Sequence, residues 1–495
     1  MVRRLGVPEE LRMPPPHLLF QRACDRLGVQ RLALFADDDL EREVEQQVAE
    51  LVAQGCSSVV LQGLIELEHF LDQVGAECLR RLRAVPGAAG SQVAHQREGA
   101  GEGGVGHGTL EFNPFFALHL HITARSFRAP VNASPSGRDA RAWVEVDLAA
   151  VVENARTVAR VAGTRLLPVV KANAYGVGAV AVSQALEALD PWGYGVATIE
   201  EGAELRAAGI TRPVLVFTPA RNDLFDGYRE QRLTPALGDG RTVADWIARG
   251  ARGGAFHLEI DTGMGRSGVR WDEVEPLADL LDTPYLEGCY TQFHSAERND
   301  GSAEQQLERF RLAVGRLARR PALLHVANSA AALKGGSFAF DAVRPGVYLY
   351  GGSPGVGLPE GKPVVSVRAR VVAVRRVRAG DSVSYNASWT AARDTTIATL
   401  GIGYADGLRR SLGASGRAQV LLRGRPCPII GLVTMDLTML DVGDGPATVG
   451  DVATLVGSAD GGGGAITLEQ FAAWSGELQR EFLTGLGPRL PRIYR

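Results

Sequence analysis

The 495-residue sequence is short of three things: paired cysteine, long apolar runs, and an excess of charge of either sign. Its five cysteines, Cys24, Cys56, Cys78, Cys289 and Cys427, are odd in number and far apart. That spacing builds neither a disulfide framework nor a metal-ligand cluster, and it predicts a reducing, cytoplasmic setting. No apolar run approaches the roughly 20 residues of a membrane-spanning helix. The basic Met1–Arg4 start continues into Gly6, Pro8 and Glu9 rather than an apolar core, which predicts no signal peptide. With 53 Lys and Arg against 56 Asp and Glu the net charge is −3, so there is no global basic field for nucleic acid or an anionic membrane. An apolar content of 45% with 22% charge fits a globular chain, and the length predicts two to four domains. Glycine is what the sequence has in excess: 60 residues, about 12% against an average near 7%.

Part of that glycine lies in one place. Residues 86–108 (PGAAGSQVAHQREGAGEGGVGHG) carry no apolar period and read as a linker or disordered loop. Upstream, 31–36 and 57–62 read as strands, with a helix at 40–54 and a second amphipathic stretch at 64–82. The segment from Val52 to Leu71 faintly resembles the last part of aspartate/glutamate racemases, without their Gly-Cys-Thr-Glu turn, and residues 1–137 stay unassigned. From Trp143 the texture changes. A strand at 143–146 leads to Asp147, a good helix N-cap, followed by Leu148, Val151, Val152, Ala155 and Val158 on one helical face. Eight apolar runs then alternate with helical patterns: 166–170, 194–197, 214–217, 233–237, 256–260, 286–293, 323–327 and 346–350. Continuous apolar strands alternating with amphipathic helices predict a (β/α)8 TIM barrel over residues 138–364. From about Val364 the apolar period falls towards two, which predicts an antiparallel β domain over 365–495, a small barrel or a sandwich.

Barrel enzymes carry their chemistry where strands end at the C-terminal face. Lys171 closes the first run. Burial there would lower its pKa and leave a nucleophilic amine able to form a Schiff base; a salt-bridged rim lysine is the alternative. Tyr175 and Gly176 follow it. Asn328 and Ser329 end the seventh run, and Arg344-Pro345-Gly346-Val347 opens the eighth. Loops after the seventh and eighth strands of such barrels often bind phosphate. A lysine and a phosphate site on one barrel face point to pyridoxal 5'-phosphate. His119 and His121 would share one strand face, but no Cys or acidic cluster accompanies them, so no metal site is expected.

Eight motifs occur in order: KANAYG (171–176), EIDTGMGRSG (259–268), HVANSAA (325–331), RPGVYLYG (344–351), VSYNASWTA (383–391), GYADG (403–407), VTMD (433–436) and LGPRLPRIYR (486–495). Together they resemble the alanine racemase family, fold-type III pyridoxal-phosphate enzymes, over about seven-tenths of the chain. The resemblance implies a barrel plus a β domain, and a head-to-tail homodimer in which each active site borrows residues from the partner's β domain. It implies racemisation of L-alanine to D-alanine, for cell-wall peptidoglycan, by two acid/base groups. Lys171 is the imine former and one base; Tyr385, from the second subunit, is the other. Arg344 matches the arginine facing the pyridine nitrogen. Tyr175, Ser329, Gly346 and Val347 match phosphate contacts, the last two through backbone N–H groups. Arg266 matches the arginine touching the cofactor oxygen and substrate carboxylate, and Met435 matches a residue whose backbone lies near the substrate.

Four positions depart from the family pattern. Glu259 stands where most members have a lysine, often carbamylated, that orients the arginine matching Arg266; a Glu259–Arg266 pair is therefore expected. Gln292 replaces a histidine near the cofactor, with His294 two residues on. Val177 replaces the histidine of AYGHG. Arg480 takes the position of a C-terminal tyrosine that contacts phosphate, which an arginine could hold as well. These changes leave open racemisation of serine, lysine or a broader set of amino acids, or a non-catalytic pyridoxal-phosphate-binding or regulatory relative.

Overall fold

A computed structural model describes residues 139–249 and 254–495. The strands, helix and amphipathic stretch read within 31–82, the 86–108 linker and the His119/His121 pair all lie outside those residues.

The first described strand, β1 (Ala142–Val146), runs into helix α1 (Leu148–Ala162). Asp147 caps the helix, its side chain accepting the Ala150 N–H at 2.8 Å, and Val151, Ala155 and Val158 are buried as their spacing predicts. The parallel strands follow: β2 (Arg165–Leu166), β3 (Tyr194–Val196), β4 (Val214–Val216), β5 (Thr234–Leu237) and β6 (Phe256–Asp261). A short β7 (Val269–Arg270) pairs with the end of β6, and then come β8 (Leu286–Tyr290), β9 (Leu323–His325) and β10 (Ala342–Val343). Strands β3, β4, β5, β6, β8 and β9 are successive parallel neighbours. The circle closes through β10 and β2, which pair in parallel. Val170 N–H reaches Gly195 O at 2.8 Å on one side, and Arg344 N–H reaches Ala327 O at 2.8 Å on the other. The (β/α)8 barrel is present.

Its eighth strand is not where the apolar run suggested. Residues 346–350 are no strand: Val347–Tyr350 is a 3-10 turn. The turn is apolar because Tyr348, Leu349 and Tyr350 are buried, and a short apolar run does not distinguish a buried turn from a strand. The true strand is Ala342–Val343, so Arg344 follows it rather than opening it.

The β domain contains β11 (Val365–Val377), the short hairpin β12 (Ser382–Val383) and β13 (Trp389–Thr390), then β14 (Thr395–Leu400), β15 (Gln419–Leu422), β16 (Arg425–Ile430), β17 (Thr438–Gly443), β18 (Val452–Ser458), β19 (Ala465–Ile466) and β20 (Arg492–Tyr494). The antiparallel path β11–β14–β17–β16–β15–β18 returns to β11, a closed six-stranded barrel. Closure leaves its ladder without open edges. Strand β1 belongs to this second sheet, antiparallel to β11 and parallel to β20.

Candidate functional site

Lys171 stands at the mouth of the barrel, where the chain leaves the segment hydrogen-bonded to both β10 and β3. The next four residues, Ala172, Asn173, Ala174 and Tyr175, all hold φ between 52° and 55°. A left-handed turn of non-glycine residues costs roughly 1–2 kcal/mol per residue, so its surroundings must impose it. Glu201 does much of this: one carboxylate oxygen accepts the Ala172 N–H at 2.6 Å and the other the Ala197 N–H at 2.7 Å. Asn173 Oδ1 accepts the Ala179 N–H at 2.8 Å. At Gly176 a Cβ would lie 2.2 Å from the Leu483 carbonyl oxygen, so only glycine lets the turn sit against the 479–485 helix. Burial lowers the Lys171 pKa, with Arg266 and Arg344 acting in the same direction and Glu201 opposing. The amine is thereby biased towards its neutral, nucleophilic form.

Arg344, following β10, is buried at the same mouth. Its guanidinium donates to Thr291 O at 2.7 Å, to Gln292 Oε1 at 3.2 Å and to His325 Nδ1 at 3.1 Å, and it also meets His325 O. The rings of Tyr290 and Phe217 flank it at 5.2 and 5.9 Å. Burial lowers its pKa to about 10, so it remains a cation at neutral pH. Gln292 thus supplies a neutral, untitratable acceptor to Arg344, while His294 is exposed and pairs with Ser295.

Beside them lies a close-approach site. Ser329 Oγ accepts the N–H of Gly346 at 2.9 Å and, more loosely, that of Tyr348 at 3.4 Å. A Cβ on Gly346 would stand 2.5 Å from the Tyr175 hydroxyl, and the Tyr175 ring packs on Tyr350 at 4.8 Å. Burial raises the Tyr175 pKa, and the nearby Arg480 charge opposes this. Arg480 itself is exposed. The structure therefore brings Tyr175, Ser329, Gly346, Val347 and Arg480 to one side of the Lys171 mouth. Val177 is buried in the core.

Glu259 and Arg266 approach as expected, but only to 3.8 Å; the closer partner of Glu259 is the Ser267 hydroxyl, donating at 2.8 Å. Glu259 is buried and Arg266 mostly exposed. The Tyr290 hydroxyl is buried without a hydrogen-bond partner, and the nearby Glu259 is among the influences that, after burial, raise its pKa. Tyr385 and Met435 are elsewhere, 62% and 53% exposed on the β domain. Tyr385 sits at the tip of the β12–β13 hairpin between positive-φ residues Ser384 and Asn386. Among the described residues no hydrogen bond or ion pair links it to Lys171. Sequence reasoning passed over Glu201, Tyr290 and His325. His325 opens the HVANSAA motif, but a histidine in an apolar strand carries no mark of its partner. No cluster of metal-ligating side chains occurs among the described residues, and no described helix is long and apolar enough to cross a membrane.

A lysine with lowered pKa, a fixed cation and a glycine-walled cradle with a serine hydroxyl fit a phosphorylated aldehyde cofactor. The unpartnered Tyr290 hydroxyl adds a polar atom at the same mouth. Comparison with known proteins agrees. The model of the alanine racemase N-terminal domain matches residues 146–354, and that of the C-terminal domain matches 364–494. The alanine racemase of Sorangium cellulosum is 40% identical over 380 residues, covering 71% of this chain and 98% of the relative. That of Symbiobacterium thermophilum is 41% identical over 368 residues, covering 71% and 96%. Among solved structures, alanine racemase from Bacillus anthracis with bound L-Ala-P is similar with a TM-score of 0.67 and 33% identity, covering 72% of this chain and 95% of that one. The enzyme from Bartonella henselae with covalently bound pyridoxal phosphate gives a TM-score of 0.66 at 30% identity, covering 72% and 100%.

Proposed function

The chain belongs to the alanine racemase family, and on that premise we propose that it interconverts L- and D-alanine with pyridoxal 5'-phosphate held at the barrel mouth. The observation that carries this reading is the meeting of Lys171, Arg344 and the Ser329–Gly346–Tyr175 cradle on one barrel face. Lys171 would be the covalent anchor of the cofactor. Tyr175, Ser329, Gly346, Val347 and Arg480 would hold its phosphate, with the Ser329 hydroxyl keeping the Gly346 backbone close. When bound, the cofactor supplies an electron sink for the pair left on Cα as its proton departs. Lys171 takes or returns that proton on one face. Tyr385 of the partner subunit serves the opposite face, which accounts for a tyrosine left exposed on a strained hairpin tip. Met435, exposed on the neighbouring loop, would approach the substrate from the same partner. Arg266 would meet the substrate carboxylate.

Arg344 donates a hydrogen bond without surrendering its proton. Facing the ring nitrogen of the bound cofactor, Arg344 would leave that nitrogen unprotonated, which would temper the electron sink and favour proton return over transamination.

Incubating the full-length protein with L-alanine in deuterated water tests the proposal. Cα exchange and D-alanine formation are expected; absence of exchange with alanine, serine and lysine alike, despite a Lys171-bound chromophore, overturns the enzyme reading. The chain has only three lysines, Lys171, Lys334 and Lys362. Borohydride trapping therefore leaves three candidate peptides, and a label on Lys334 or Lys362 would remove Lys171 from its role.

A further inference from the structure

Two histidines lie in the barrel interior, both fully buried: His257 on β6 and His325 on β9. They touch each other, His257 Nδ1 to His325 Nε2 at 2.8 Å. Each has one further polar partner. His325 Nδ1 faces the Arg344 guanidinium at 3.1 Å, and His257 Nε2 faces Glu287 Oε2 at 3.4 Å. Glu287 is the second residue of β8, whereas Arg344 follows the last residue of β10. In a parallel barrel these are opposite rims. A polar line therefore crosses the barrel from the rim away from the site to the site itself. Room is made for it: a Cβ on Gly288 would lie 2.8 Å from the His257 ring. Tyr290 stacks on His325 at 5.1 Å with its ring nearly parallel.

The line has one consistent direction. A guanidinium only donates, so His325 Nδ1 must be the bare acceptor. His325 then carries its proton on Nε2 and donates to His257 Nδ1. His257, its Nδ1 filled as acceptor, carries its proton on Nε2 and donates to Glu287. Reversing His325 would put its Nδ1–H against an Arg344 N–H, and reversing His257 would put its Nδ1–H against the His325 Nε2–H. We propose that Glu287 is a positioning residue for Arg344, fixing through His257 and His325 the tautomer that holds the guanidinium at the barrel mouth. Burial keeps both imidazoles on the neutral side: it lowers the pKa of His257, and lowers that of His325 well below the usual value, with His257 and Arg344 adding to the effect. Neutral rings preserve the register, and a second proton on either would break it.

Neutron diffraction from a deuterium-exchanged crystal reads the register directly. Deuterons are expected on Nε2 of His257 and His325 and on neither Nδ1; density at either Nδ1 overturns the proposal. The kinetic arm rests on the racemase reading, whereas the deuteron positions do not, so the two can fail separately. Glu287→Leu removes the terminal acceptor at a residue one-third exposed. It is expected to lower kcat about tenfold with KM changed less than about twofold. Glu287→Gln, which keeps an acceptor, should restore kcat to within about twofold of the parent. In an Arg344→Lys background, which lacks the guanidinium fork, Glu287→Leu should have no further effect. A loss equal in both backgrounds, a glutamine variant as poor as leucine, or an unchanged kcat in Glu287→Leu would each refute the relay.

Discussion

Gly346 shows how much one methyl group can decide. Its amide is drawn to Ser329 Oγ, and the space where a Cβ would stand is taken by the Tyr175 hydroxyl, 2.5 Å away. Its φ of −129° with ψ of −92° lies outside the helical and extended regions open to alanine, so backbone and neighbour both demand glycine. Gly346→Ala should push Tyr175 out of the cradle while leaving the barrel folded. A displacement of about 1 Å in a positioned group can cost roughly a hundredfold, so cofactor affinity should fall by about that factor. Equilibrium titration of the cofactor-free protein, with thermal melting as the folding control, reads both quantities. Serine, glycine and lysine at this mouth were visible in the sequence because strand ends are where barrel chemistry collects. Glu201 was not, because its partners are backbone amides 29 and 4 residues away, and an amide carries no residue signature.

Among the elements, the GYADG turn depends on an aspartate that touches no candidate site residue directly. Asp406 is fully buried and paired with Arg141 at 2.7 Å and Arg489 at 2.9 Å, and it accepts the Gly403 N–H at 2.9 Å. The turn it fixes receives the next loop: Tyr404 N–H reaches Thr434 O at 2.9 Å and Ala405 N–H reaches Met435 O at 3.0 Å. Burial alone would raise the Asp406 pKa, but the hydrogen bonds from Arg489, Arg141 and Gly403 outweigh it and the net shift is downward. A carboxylate with a lower pKa folded than unfolded stabilises the protein above the ordinary aspartate range. That contribution is lost as pH falls from about 4 through the lowered value. Asp406→Asn should cost about 3 kcal/mol at neutral pH. Its denaturant midpoint should then fall less steeply than the parent's on acidification below about pH 4, a difference urea titrations at several pH values would measure. The two short barrel strands next to Lys171 mark the limit of pattern reading. Neither Arg165–Leu166 nor Ala342–Val343 is long enough to show a period, and the apolar 346–350 turn imitates the strand it follows. The β domain was legible because its strands are longer and half-exposed, so apolar and polar residues alternate.

For the whole molecule, the separation of Lys171 from Tyr385 decides what a functional unit is. One residue closes the barrel mouth; the other is an exposed tip of the β domain. The proposed sharing of sites between two subunits predicts complementation: Lys171→Ala and Tyr385→Phe proteins, each inactive alone, should regain about a quarter of parental activity when subunits are mixed at random, because half the dimers would then hold one intact site. Activity assays before and after mild dissociation and reassociation would show it, and no recovery would place both groups in one chain. Strand β1 has a further consequence, one of timing. It precedes every barrel strand, yet its hydrogen-bonding partners are β11 and β20, and its Glu145 pairs with Arg495, 350 residues later. At about 5–20 residues per second on the ribosome, that partner arrives roughly 20–70 s after β1 is made. The barrel strands emerge in order and need only one another, so the barrel can close during synthesis. Strand β1 must wait with its edges bare, and the β domain is complete only once β20 has left the ribosome.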